Sequence, residues 1–187
     1  RGLGDVYKRQ ELASLGVKDL GAVEDAARAF SDQWAGTTKA DFIAAAYDIK
    51  SGIATLSDEG VAEFTSLAAL TAKATKSTAG EMTSLFATGY GIYKGYYDDM
   101  SDLEFGEMFS AGIAKSVQQF KTTGSEMASS IESLGASATN ANVPLEEQLT
   151  ILGMLQGTMS GSEAGTKYAA FIQSAAKGAV SYTHLRA

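Results

Sequence analysis

The chain has no cysteine and only one proline and one histidine in 187 residues. Without thiols there are no disulfides and no thiolate metal sites. The single histidine, His184, stands almost at the C-terminus, and with so few imidazoles a Ser-His-Asp hydrolase has little to be built from. No run of about 18 apolar residues occurs, so this segment is not expected to cross a bilayer by itself. Positive charge is also scarce: 15 basic residues face 22 acidic ones, for a net charge of −7. A basic stripe of the kind that neutralises phosphates is missing, and direct nucleic-acid binding is not expected. Strand-like alternation of apolar and polar residues is absent as well.

Both ends differ in character from what lies between them, and such segments are set aside before fold reasoning. Residues Gly2 to Gln10 can be written GGG CTC GGA GAT GTG TAT AAG AGA CAG, and residues Val180 to Ala187 can be written GTC TCT TAT ACA CAT CTC CGA GCC. The second string contains the reverse complement of a run in the first, as one sequencing adapter at both ends of an insert would give. Residues 1–10 and 180–187 are therefore taken as adapter-like, and residues 11–179 as a fragment of a helical domain without its own start and end. Trimming removes His184, Arg1, Lys8, Arg9, Arg186 and Asp5, which leaves the remainder more acidic than the whole chain.

What is plentiful is alanine, together with large apolar residues at helical spacing, and these predict an all-α fold. Four S/T-x-x-E strings mark helix starts, because the hydroxyl accepts from the third amide while the glutamate reaches back: Thr78 with Glu81, Ser101 with Glu104, Thr123 with Glu126, and Ser160 with Glu163. Helices are expected at about 20–34, 38–53, 58–76, 79–97, 102–121, 125–140, 144–157 and 162–178, arranged as a bundle of helical hairpins, compact or elongated. The most regular stripe runs Phe105, Phe109, Ile113, Val117 and Phe120, then Met127, Ile131, Leu134 and Ala138, with a break at Lys121-Thr122-Thr123-Gly124. The last two helices are expected to pair as a hairpin around Gly157 to Gly161, with Tyr168, Phe171, Ile172 and Ala175 facing back onto the helix that opens at Pro144.

Twenty glycines run against this helical bias, since each costs about 1 kcal/mol relative to alanine inside a helix. Gly106, Gly112 and Gly124 either let helices approach closely or mark breaks and caps. A bundle that tolerates marginal stability, because it later unpacks or packs around identical copies, would accept that cost.

In the second half of the chain the residues become specific. The string Val143-Pro144-Leu145-Glu146-Glu147-Gln148-Leu149, followed by Gly161-Ser162-Glu163-Ala164-Gly165-Thr166, resembles the core domain of bacteriophage tail tape measure proteins, with its "sleE" and "G-x-x-x-x-E-A-G-T" helix starts. Earlier, Tyr47-x-Ile49-x-Ser51-Gly52 resembles that family's "Y-x-I-x-S-G" segment, and Lys121 to Met127 resembles its "g-k-T-t-x-x-E-l" start. The pieces stand in the family's order over nearly all of residues 11–179. The aromatic stretch from Tyr90 to Tyr97 and Asp98-Asp99 depart from its pattern.

The resemblance implies a structural role in phage tail assembly, as part of the tape measure that sets tail length and scaffolds tube polymerisation. It also implies self-association in several copies and contact with the tail tube protein, tail assembly chaperones and tail-tip proteins. Host-membrane contact would belong to the full protein. The implied location is the host cytoplasm during assembly and the virion tail lumen afterwards. A membrane-active or secreted helical protein of the pore-former kind is the alternative, supported only by glycine within apolar helices.

Candidate chemistry is thin. The acid pairs Asp58-Glu59 and Glu146-Glu147 fall in first helical turns, where negative charge meets the helix dipole favourably, and Asp98-Asp99 falls in a turn. Gly89-x-Gly91-x-x-x-Gly95 lacks the preceding strand and the spacing of a phosphate loop. No catalytic residue, metal ligand or cofactor site is expected, and the chain does not read as an enzyme. Tyr90, Tyr93, Tyr96 and Tyr97 form the candidate interaction surface, because tyrosine offers a large amphipathic contact area, although aromatics at this spacing more often face a core.

Overall fold

The computed structural model describes residues 3–184, with side chains described over residues 6–179. Ten α-helices follow one another: α1 (Leu3–Ser14), α2 (Leu20–Gln33), α3 (Lys39–Gly52), α4 (Asp58–Thr75), α5 (Ala79–Tyr93), α6 (Asp102–Phe120), α7 (Gly124–Leu134), α8 (Ser137–Asn140), α9 (Leu145–Leu155) and α10 (Gly161–His184). The described residues contain no strand. The all-α expectation holds, and the eight expected helices are present.

Their differences from expectation have local causes. The helix expected over 79–97 stops at Tyr93 and tightens into a 3-10 turn over Lys94–Tyr96. The one expected over 125–140 divides into α7 and α8 at Gly135, whose φ of 57° and ψ of −142° suit glycine alone. Helix α1 lies largely in the segment set aside as adapter-like. It packs on α3, Lys8 donates to Ala40 O at 3.3 Å, and Arg9 pairs with Glu24 at 3.1 Å.

Helix starts follow the hydroxyl-acid logic. Thr78 with Glu81, Ser101 with Glu104 and Ser160 with Glu163 make reciprocal capping boxes, and Thr38 with Asp41 adds a fourth that uses aspartate. Thr123 accepts from the Glu126 amide, but the Glu126 carboxylate reaches elsewhere, to the amide of Gly161.

The helices stack in two layers. One layer contains α1, α3, α5, α7 and α10, and the other α2, α4, α6 and α9; each helix packs on its predecessor within its own layer. Polar bridges fix the register. The amides of Lys18 and Asp19 reach Asp58 near the starts of α2 and α4, and Lys73 reaches Ala35 O near their ends, so the two helices run in the same direction. The same sense joins α4 to α6, where Thr71 and Ser110 share a hydrogen bond of 2.7 Å, and α6 to α9, where Lys115 meets Glu146 and Thr122 meets Gln156. The result is a row of helical hairpins in which each unit contacts its neighbours, as in repeat architectures.

The first layer shows the repeat most plainly. Thr38, Thr78, Thr123 and Ser160 stand before α3, α5, α7 and α10, about 40 residues apart. The fourth residue after each is buried (Phe42, Met82, Met127, Ala164), and so is the eighth (Ala46, Phe86, Ile131, Tyr168).

The core between the layers is aromatic. Phe64 meets Phe86 edge-on at 6.2 Å, Phe86 meets Phe109 at 5.2 Å, and Phe105 stacks on Phe109 at 5.9 Å. The Phe109 ring occupies the space that a side chain at Gly89 would need.

Candidate interaction sites

The four tyrosines singled out from sequence do not share one surface. Tyr90 is half-buried and donates to Asp102 Oδ1 at 2.8 Å; burial foremost, with Asp102 adding to it, pushes its hydroxyl above the usual tyrosine range. Tyr93 is fully buried and donates to Gln148 Oε1 at 3.3 Å, and burial pushes its hydroxyl far up. Tyr97 is half-buried, and its oxygen accepts from the Leu145 amide at the start of α9. Tyr96 alone is well exposed, at 51%, and it donates to Asn140 Oδ1 at 3.0 Å. Three of the four thus fasten α5 and its 3-10 turn to α6 and α9. A surface contact in this stretch rests on Tyr96.

Gln148, which sequence reading passed over, is the hub of this region. Fully buried, it accepts from Tyr93 and donates to Thr139 Oγ1 at 3.0 Å and Val143 O at 2.8 Å. A buried amide is tolerated only when its polar atoms are matched in this way. The available signal was a glutamine one turn ahead of Leu152, on the apolar side of α9.

The Gly161 to Thr166 string lies against α7. A side chain at Gly161 would meet the Glu126 carbonyl, and one at Gly165 would meet the Ser130 carbonyl, with the Leu134 amide 2.9 Å away. These two glycines, one turn apart, let α10 run along the α7 backbone in the same direction. Polar bonds lock the seam: Ser130 donates to Gly161 O at 2.7 Å, Gln156 donates to Ser130 Oγ at 2.8 Å, and Thr122 donates to Gln156 Oε1 at 2.6 Å. Ala164 is buried between the glycines, while Glu163 and Thr166 are exposed. Glu163 caps its own helix, and Thr166 donates to Ser162 O at 2.9 Å.

The expected pairing of the last two helices needs correction. A turn does join α9 to α10, but α10 rests chiefly on α7. Tyr168 is buried and Ile172 half-buried, whereas Phe171 and Ala175 point into solvent. The reason is the close seam: glycine draws α10 to α7, which ends at Leu134, and residues 173–178 beyond it are exposed.

The other motif residues are also packing or capping positions. Tyr47 is half-buried, Ser51 is exposed, and a side chain at Gly52 would come within 2.6 Å of Ala87 Cβ on α5. Between them Lys50 folds inward, its amine donating at 2.8 Å to both Ala54 O and Leu56 O in the following turn. Pro144 precedes α9, Leu145 is buried at its start, and Glu146 reaches Lys115 at 3.2 Å across a groove between α6 and α9. Gly106 and Gly124 serve close approach, to Leu67 and Phe64 and to Thr75 and Ser77; Gly112 faces the flexible end of Leu149. Among the described residues, no group of three His, Cys, Asp or Glu side chains is placed to hold a metal ion, and no helix is long and apolar enough to cross a membrane.

The residues with the most specific surroundings therefore join helices to one another. Such an arrangement defines a structural, helix-array protein whose selected positions are spacers, caps and buried hydrogen-bond hubs. Residues 24–183 match the family model described as "Phage-related minor tail protein", and the chain belongs to that family. It is a phage tail protein with a structural role among the other tail components. No curated protein sequence and no solved structure matches it.

Proposed function

We propose that this segment is part of the tape measure of a long-tailed phage, present in several copies in the tail lumen, where it sets tail length and scaffolds tube polymerisation without catalysing a reaction. The observation that carries the reading is the Gly161 to Thr166 string, the most specific of the tape-measure-like motifs, whose two glycines seat one helix along the backbone of another. In this reading the tail tube protein, the assembly chaperones and the tail-tip proteins are its partners, and any contact with the host membrane belongs to other parts of the full protein.

A tape measure makes a quantitative demand. An uninterrupted helix rises about 1.5 Å per residue, so removing or duplicating residues within the gene must change tail length in proportion to their number. In-frame deletion and duplication of the codons for one hairpin of this array, followed by electron microscopy of the tails, provides the test. Tail lengths that move in opposite directions in the two variants are expected. Tails of normal length in both would remove the length-setting role and leave only the general structural one.

A further inference from the structure

The second layer closes tightly on one side of α6 and loosely on the other. Toward α4, the Phe64 ring and the end of Leu67 lie where a side chain at Gly106 would stand. Toward α9, Gly112 meets only the flexible end of Leu149, and Ala111 is exposed although α9 stands beside it. The gap is a groove of about 580 Å³ whose walls include Tyr97, Met108, Ala111, Pro144 and Leu149. An apolar cavity of about 150 Å³ already accepts a benzene ring, so the groove has room for an aromatic side chain and the helix turn that carries it. Lys115 and Glu146 reach across it, but both side chains are largely exposed, and so exposed an ion pair is too weak to hold the groove shut.

A side chain of the required kind stands on α10. Phe171, at 67%, is the most exposed large apolar residue among those described. Lys167, Phe171, Ser174 and Gly178 follow one another at steps of four, three and four, which places them on one helix face with Lys177 at its edge. The small residues after Phe171 let this face approach a surface closely. Residues 164–179 carry Lys167 and Lys177 and no acid, in a chain whose acids outnumber its bases by 22 to 15. The groove has the opposite charge on its rims: Glu107 is exposed one turn before Ala111, and Glu146 is exposed at the start of α9. Lengths agree as well. Lys167 to Lys177 spans about 15 Å of helix, and the α6 wall from Met108 to Gln119 about 16 Å. Within one chain the two do not meet, because α10 belongs to the other layer and no described residue of α10 lines the groove.

We propose that the groove between α6 and α9 receives the Phe171 face of α10 from a second copy of this chain, with Phe171 as the anchor between the helices and Lys167 and Lys177 set against Glu107 and Glu146. The mode is that of an amphipathic helix lying in an apolar groove. The contact rests on the reading that several copies stand together, and is independent of the length-setting role.

Two exposed positions give the test. Phe171→Glu removes the anchor and keeps the groove; Ala111→Trp fills the groove and keeps the anchor. Neither position is buried, so both variants are expected to melt with the parent. In sedimentation equilibrium from micromolar to millimolar concentration, the parent is expected to self-associate and each variant alone to do so at least tenfold more weakly, as loss of an aromatic anchor requires. An equimolar mixture of the two variants pairs the intact groove of one with the intact anchor of the other, and is expected to recover association to within about threefold of the parent. A mixture that stays monomeric overturns the proposal, since the two sites then do not meet. Association that survives both substitutions overturns this contact and leaves the several-copies reading standing, whereas a parent that stays monomeric throughout overturns both.

Discussion

At the scale of single residues, the array rests on places where the absence of a side chain matters more than its presence. Gly165 and Gly91 both lie inside helices, and helix propensity alone favours alanine over either by about 1 kcal/mol. Their surroundings are opposite: nothing stands near an added side chain at Gly91, whereas at Gly165 it would run into the Ser130 carbonyl, a backbone atom that cannot swing aside. Gly91→Ala is therefore expected to stabilise the chain by up to about 1 kcal/mol. Gly165→Ala is expected to destabilise it by about 1–3 kcal/mol, because overpacking outweighs the propensity gain. Urea denaturation of the two variants beside the parent measures both signs, and a gain in stability at Gly165 would show that the α7–α10 seam does not depend on close approach. Glu126 illustrates a different economy: expected to cap its own helix, it gives its carboxylate to the first amide of α10, while Thr123 caps α7 alone.

At the scale of elements, the helix starts carry a pH dependence whose sign is fixed by their hydrogen bonds. The Thr78 amide foremost, then the Ser125 hydroxyl, holds the Glu81 carboxyl below the ordinary glutamate value; the Thr38 hydroxyl and amide do the same for Asp41, and the Ser101 amide for Glu104. A carboxyl whose folded value is lowered contributes stability that is complete above its unfolded value and is lost as pH falls through the folded one. These boxes should thus weaken below about pH 4.5, the ordinary range of free carboxyls. Neutralising acidic self-repulsion acts in the opposite direction, so the comparison must be internal. The triple variant Asp41→Asn, Glu81→Gln, Glu104→Gln is expected to melt below the parent at pH 7 and to converge with it as the pH is lowered toward 3. Melting curves that stay parallel across that range would mean that the caps contribute through geometry alone.

The same elements show what the sequence makes legible. Helix starts were readable because a hydroxyl and an acid three residues apart act locally, and all eight expected starts fall within a residue of those of α2 to α7, α9 and α10. The split at Gly135 was not readable, because alanine, serine and threonine continue on its far side and only its positive φ reveals the break. Packing partners were less legible still. The last helix was expected on α9 because they are joined by a short turn, yet the two glycines send it to α7. The tyrosines were chosen as a surface because their chemistry suits one, whereas Gln148 and the Leu145 amide, which draw Tyr93 and Tyr97 inward, become neighbours only after folding. Gly161 and Gly165 belong to the family-like string, and their physical role as spacers depends on the Glu126 and Ser130 carbonyls, which become neighbours only after folding.

At the scale of the whole molecule, a row of hairpins that touch only their neighbours distributes stability unevenly. Helix α10 has two parts by this measure. Its first turns bury Gly161, Ala164, Gly165 and Tyr168 and supply partners for Ser130 and Glu126; residues 173–178 are exposed on all sides. Removing residues 173–187 should therefore leave the melting temperature nearly unchanged. Removing residues 161–187 instead uncovers α7, leaves the buried Ser130 hydroxyl without the carbonyl it donates to, and opens the apolar side of Ile131 and Leu134 to water. A lost buried hydrogen bond costs about 1–3 kcal/mol, and the lost apolar cover adds to it. The longer truncation should lower the melting temperature by more than about 5 °C, with the loss of amide protection concentrated in α7 and α8 and little change in α2 to α4. Thermal unfolding followed by hydrogen exchange separates the outcomes. Uniform loss of protection along the chain would show that the hairpins unfold as one unit, and a large effect from the shorter truncation would show that the last turns of α10 contribute to stability despite the exposure of residues 173–178.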